Sequence, residues 1–253
     1  TVNNGNSLTI DLNGHTLTAA ANSRAFFIQN GALPIEDSIG GGLIQGSGTV
    51  NGYGGAILMN GSDSNNALTL AGGTISGFTA TNGAGVSMGN GTFRMTDGAI
   101  RNCSATDGGG VYVFGGSFEM TDGTISACNA TNAGGGVYVS SGSYEMSGGS
   151  IENCTAHEGA GVKVYASNGK TASFSMTGGE IQNCNTDGVS IYAIGSGTSE
   201  FTMTGGTIED NGGYGVWVDN GSAVMSGGSG KGSERYDIYI GSRATLTVNN
   251  TQV

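Results

Sequence analysis

Apolar residues in this chain alternate with polar ones in short bursts, and the bursts return at a nearly fixed interval. The segment from Phe93 to Ile100 (FRMTDGAI) comes back as Phe118 to Ile125, Tyr144 to Ile151, Phe174 to Ile181 and Phe201 to Ile208. Leu68 to Ile75 is an earlier, divergent copy, and a later one keeps Val224, Met225 and the pair Gly227-Gly228. Ile75, Ile100, Ile125, Ile151, Ile181 and Ile208 step by 25, 25, 26, 30 and 27 residues. A second landmark, the Val after a Gly-rich turn, falls at 86, 111, 137, 162, 189 and 216, with steps of 25, 26, 25, 27 and 27. Two landmarks that keep step over six copies define a structural repeat.

The alternation has period two, so the repeat is built of strands. They are short, β-branched or aromatic, and bounded by Gly, Asn, Asp and Ser. A coil then reads as a first strand with Phe118 and Met120 inward and Glu119 outward, and a turn at Gly123. A second strand follows with Ile125 inward, then a loop, then a third strand with Val137 and Val139 inward and Tyr138 outward. Helical repeats fail on the period, and leucine-rich repeats on the missing Leu lattice. The expected fold is all-β, a right-handed parallel β-helix: a solenoid of about nine coils of about 25 residues, three short strands per coil. One domain covers 1–253, with irregular N-terminal coils over 1–45, regular coils over 46–220 and C-terminal coils over 221–253. Leu8 to Thr18 and Ala244 to Asn250 are strand-like but off the repeat, as terminal coils that blunt open sheet edges should be. Leu33 to Asp37, which holds the only Pro, is expected to leave the coil as a loop.

Composition narrows the function classes. The 51 Gly residues alone would suggest disorder, but the hydrophobic 36% of the chain is regularly spaced. Nineteen acidic against eight basic residues give a net charge of −11, which disfavours nucleic acid and anionic membranes as partners. No run of 18 apolar residues exists to span a bilayer, so membrane insertion by this segment is not expected. The chain opens abruptly in strand-like sequence, as an excised domain or mature fragment would, and shows no leader.

The unit running from Gly123-Thr-Ile125 through Cys128 and Ala130 to Gly134-Gly135-Gly136-Val137-Tyr138-Val139 resembles the repeats of bacterial surface proteins of the pectin-lyase-like β-helix superfamily. Gly54-Gly55-Ala56-Ile57 is similar to the GGAI motif of chlamydial polymorphic outer-membrane proteins, and Asp11 to Leu17 (DLNGHTL) to the first coil of many secreted β-helices. The resemblance covers nearly the whole chain. It implies an extracellular or cell-surface location and a bacterial source, and function ranging over adhesins, stalks, lyases and glycoside hydrolases.

Four groups of residues are candidates for chemistry or binding. Cys103, Cys128, Cys154 and Cys184 each follow their coil's Ile by three residues, with Phe78 and Asn211 in the same slot of the flanking coils. They form one column: either free buried thiols or, less simply, bridges, since neighbours about 4.8 Å apart exceed the usual disulfide Cβ separation. Without a CxxC or a His pair, no metal site and no cofactor is expected. Asn185-Thr186-Asp187-Gly188 resembles the NTDG motif of polygalacturonase-type hydrolases, in which the Asp is a catalytic carboxylate, and Asp210 follows one coil later. That family's GHG and RIK motifs are missing, and Asp187 also fits the turn slot of Asp107 and Asn132. On the third strand, the outward column reads Leu58, Ser87, Tyr112, Tyr138, Lys163, Ser190, Trp217 and Tyr239. Tyr112, Tyr138, Lys163, Trp217 and Tyr239 are the ligand-binding candidates, with Tyr112 and Tyr138 expected exposed and able to stack on sugar rings. The fourth group, Arg94, Glu119 and Glu145, forms a charged outward column on the first strand. The expected function is a non-catalytic adhesin or stalk module, binding a glycan or a host surface protein. The alternative is a polysaccharide-degrading enzyme of the same fold.

Overall fold

A computed structural model describes residues 1–61 and 65–249. The described residues form a parallel β-solenoid of about nine turns without helices. Three ladders run its length, and every pairing is parallel. The first-strand ladder includes Phe93↔Phe118, Phe118↔Tyr144, Tyr144↔Phe174 and Phe174↔Phe201. The second carries Ile75↔Ile100, Ile100↔Ile125 and onward to Ile181↔Ile208. The third carries Val86↔Val111, Val111↔Val137 and onward to Val189↔Val216.

The alternation sets the core directly. Phe118, Met120, Ile125, Val137 and Val139, with their equivalents through the regular coils, are buried, whereas Ile238 and Val248 in the same slots of the last coil are exposed. Inside the first-strand face, Phe93, Phe118, Tyr144, Phe174 and Phe201 stack with ring centroids 4.6, 4.6, 4.7 and 5.1 Å apart. Tyr144 fits this apolar row because its hydroxyl reaches the Met120 sulfur at 3.4 Å, and burial pushes its phenol well above the usual range. Glycine is required where coils touch most closely: a Cβ on Gly136 would stand 2.6 Å from both the Gly161 carbonyl oxygen and Ile151 Cγ2.

The turn after the second strand repeats one unusual backbone state. Asn102, Ala127, Asn153, Asn183 and Asp210 all have φ between 49 and 54°. Asn and Asp tolerate this left-handed region better than other side chains. Gly77 and Gly232 hold the same slot in the flanking coils at φ 72 and 71°, and Ala127 is the member with a Cβ but no polar side chain.

Two loops expected from sequence are strands. Gly31–Glu36 pairs on both sides, with Leu33↔Leu68, Pro34↔Thr69 and Ile35↔Leu70, so the Pro-containing stretch stays in the coil. Leu33 and Ile35 are fully buried, and that alternation outweighs the proline. The cost is local: the neighbouring strand is split into Asn6–Ser7 and Ile10–Asp11, with the gap opposite Leu33 and Pro34. The loop between second and third strands also forms a fourth short strand in several coils, at Thr49–Tyr53, Thr79–Asn82, Ser104–Asp107 and Asn129–Ala133. At the far end the third- and first-strand segments merge into one long strand, Ile238–Val248; Asn250 lies outside the described residues.

Candidate functional site: an aromatic stripe on the third-strand face

The outward column of the third strand is in register from end to end. Leu58, Ser87, Tyr112, Tyr138, Lys163, Ser190, Trp217 and Tyr239 pair successively, and Phe27 precedes Leu58. Beside this column lie Tyr53, Phe114, Tyr165, Tyr192, Tyr214 and Tyr236, which contribute ring contacts along the same face. Of the nine tyrosines, all but the core Tyr144 belong to this stripe. Sequence reasoning found the central column and missed the flanking rings. They belong to neighbouring positions in the coil, and their only signal in sequence is that each lies within four residues of the third-strand core.

The expectation that Tyr138 is exposed is wrong: it is 8% exposed, and Lys163, next to it in the outward column, is 2% exposed. The cause is packing both along the column and across to the next one. Tyr138 stacks on Tyr112 at 5.1 Å and 18°, and meets Tyr165 at 6.5 Å. Tyr112 itself is half-buried against Phe114 and Tyr53, and burial pushes its phenol upward. In this half of the stripe the ring faces are occupied by neighbouring rings, so a sugar could meet edges and hydroxyls but not open faces. Glu119, also expected exposed, is half-buried because Arg94 Nε bonds its carboxylate at 2.8 Å.

The C-terminal half is open. Tyr236 is 70% exposed and Tyr239 37%. Trp217 and Tyr239 are nearly parallel at 6.3 Å, Tyr214 meets Tyr239 at 5.1 Å, and Tyr214 meets Tyr236 at 6.3 Å. Two equivalent ladders set this spacing. Trp217 pairs with Tyr239 in the third-strand ladder, while Asp187, Tyr214 and Tyr236 accept backbone bonds from Gly161, Gly188 and Gly215 of the preceding coils. The guanidinium of Arg235 lies 5.5 Å from the Tyr214 ring centroid.

A polar cluster adjoins this platform. Lys163 Nζ donates to Glu158 Oε2 at 2.8 Å and to Ser190 Oγ at 2.9 Å. Its charge also sits 5.2 Å from the Trp217 ring and 5.8 Å from that of Tyr192. Asp187 is half-buried, and Tyr214 N donates to its Oδ1 at 3.0 Å. Burial pushes the Asp187 carboxyl above the ordinary carboxylate range, against the opposing pull of the Tyr214 N–H and of Lys163 and Arg235. Asp210 stands at a different corner of the coil, in the exposed left-handed turn column with Asn183. The four cysteines are free and buried in one column; contact with the Cys103 and Cys154 thiols, and burial, push the Cys128 thiol well up. Among the described residues, no three His, Cys, Asp or Glu side chains are grouped to hold a metal ion.

The family model described as the right-handed β-helix region matches residues 118–253, a little over half of the chain. The chain belongs to the right-handed β-helix family. The match begins at Phe118 and takes in the regular coils from there together with the open part of the aromatic stripe. No curated protein and no solved structure is significantly similar to this β-helix.

Proposed function

We propose that this β-helix is a non-catalytic extracellular module of a bacterial surface protein, an adhesin or stalk that binds glycan or a host surface through the platform of Tyr214, Trp217, Tyr236 and Tyr239. The observation that carries the reading is this cluster of four rings on an otherwise Gly-, Ser- and Thr-rich surface, two of them well exposed and none needed to fill the core. Amphipathic rings held on a rigid scaffold offer contact area at low cost in conformational entropy. The repeat supports a binding role because its columns continue through the site without a break. Stacking on two rings at about 0.5–1.5 kcal/mol each predicts that Tyr236→Ala with Tyr239→Ala weakens binding on a glycan array about tenfold, with the fold intact. Wild-type affinity in that double variant would remove the platform from consideration.

A polysaccharide-degrading activity is the second reading, favoured by the raised Asp187 carboxyl beside the platform. A carboxyl whose affinity for its proton is raised by burial is better suited to act as a general acid than a solvated one. Release of reducing ends or unsaturated products from polysaccharides, abolished by Asp187→Asn, would establish it. Binding without product release supports the non-catalytic reading.

A further inference from the structure

We infer that Lys163 is a positioning residue, whose buried ammonium orders the Trp217 indole from beneath the platform and contributes nothing to the stability of the coil. The inference rests on the platform reading above. Lys163 is the one cation in a column otherwise made of Leu, Ser, Tyr and Trp, so the slot is filled in every other coil without a charge. Carrying an ammonium into a nearly closed site is unfavourable unless its partners compensate fully. Here they compensate in part: Ser190 Oγ is a neutral acceptor, Glu158 stands on the exposed side of the pair, and the half-buried Asp187 carboxyl acts on the ammonium through space.

What the charge does gain is a pair of ring faces. The ammonium lies over the Tyr192 and Trp217 rings, 5.8 and 5.2 Å from their centroids, on a side chain that is only 3% exposed. Cation–π attraction is strongest to indole and grows with desolvation. The two hydrogen bonds to Glu158 and Ser190 fix the nitrogen in place, so the attraction has a defined direction. Trp217 packs nearly parallel on Tyr239, so an indole held by Lys163 also orders that exposed ring. An ammonium retained for platform geometry, not for folding, explains why a slot that accepts Tyr or Ser elsewhere carries Lys here.

Trp217 is the only tryptophan, so its fluorescence reports the site directly. Lys163→Met keeps the length of the side chain and removes the charge. It leaves Glu158 solvated, and Ser190 with an unpartnered hydroxyl of the kind that Ser87 already holds in this column. The expected result is a Tm equal to or above wild type, with acrylamide quenching of Trp217 increased at least about twofold. Glu158→Gln, on the exposed side, should loosen the ammonium and give a smaller increase of the same sign. Unchanged quenching in both variants would overturn the inference. So would a Lys163→Met protein that loses its cooperative transition, because the charge would then belong to the fold. These readouts need no ligand. If quenching rises as expected while wild type binds nothing on the glycan array, the positioning role stands and the glycan reading alone fails.

Discussion

Ala127 offers a test in which the sign of the effect is decided by one backbone angle. It sits at φ 49° in a column whose other non-glycine members are Asn102, Asn153, Asn183 and Asp210. For a residue with a Cβ and no polar side chain, the left-handed region costs roughly 1–2 kcal/mol. Replacing Ala127 by Gly removes that cost but restores about 0.4–1 kcal/mol of conformational entropy to the unfolded chain. The net expectation is a gain of about 0.5–1 kcal/mol, and Ala127→Asn should gain a similar amount without the entropic loss. For a chain of this length that is a rise of about 1–3 °C in Tm, read by circular dichroism. Ala127 is exposed and its N–H donates to the Glu152 carbonyl at 3.1 Å, so no packing or hydrogen-bond change confuses the comparison. Ala99, in the strand Thr92–Arg101 with ordinary φ, is the control: Gly there should lower stability by about 0.5–1 kcal/mol. If Ala127→Gly proves as destabilising as Ala99→Gly, the left-handed turn column does not exist as described.

Three further outcomes are expected. Phe118→Ala, which empties the middle of the stack between Phe93 and Tyr144, should cost about 3–5 kcal/mol, measured by denaturant unfolding. The four cysteines should resist thiol reagents in the native protein and give four thiols after unfolding without reductant; two or fewer would mean bridges. Asp187 has a folded pKa above its unfolded value, so its contribution is present at pH below the ordinary carboxylate value and is lost as pH rises through the raised value. Asp187→Asn should therefore gain in Tm relative to wild type as pH rises above the ordinary carboxylate value, and a gain independent of pH would show that burial does not raise the affinity of this carboxyl for its proton.

Much of this fold is legible in the chain itself. In a solenoid with in-register coils, a residue's neighbour is the residue one repeat away, so a constant step of about 25 turns sequence alignment into a contact list. That is why the Ile and Val core, the Cys103–Cys184 column and the order from Leu58 to Tyr239 along the third strand could all be written down in advance. Period-two alternation then decides which side of each strand faces inward. What the repeat does not encode is contact between columns within one coil. Whether Tyr138 is bare or covered depends on how sharply the chain turns after the third strand, and hence on whether Tyr165 leans over it from the next column. Nor does the repeat encode how far a long side chain reaches: Lys163 extends past Ser190 of its own column to the Trp217 and Tyr192 rings. Pro34 stays in a strand because Leu33 and Ile35 on either side of it must reach the core. Stacking along the axis follows from a one-dimensional repeat, whereas exposure around the axis is set by turn geometry, which only the tertiary structure fixes.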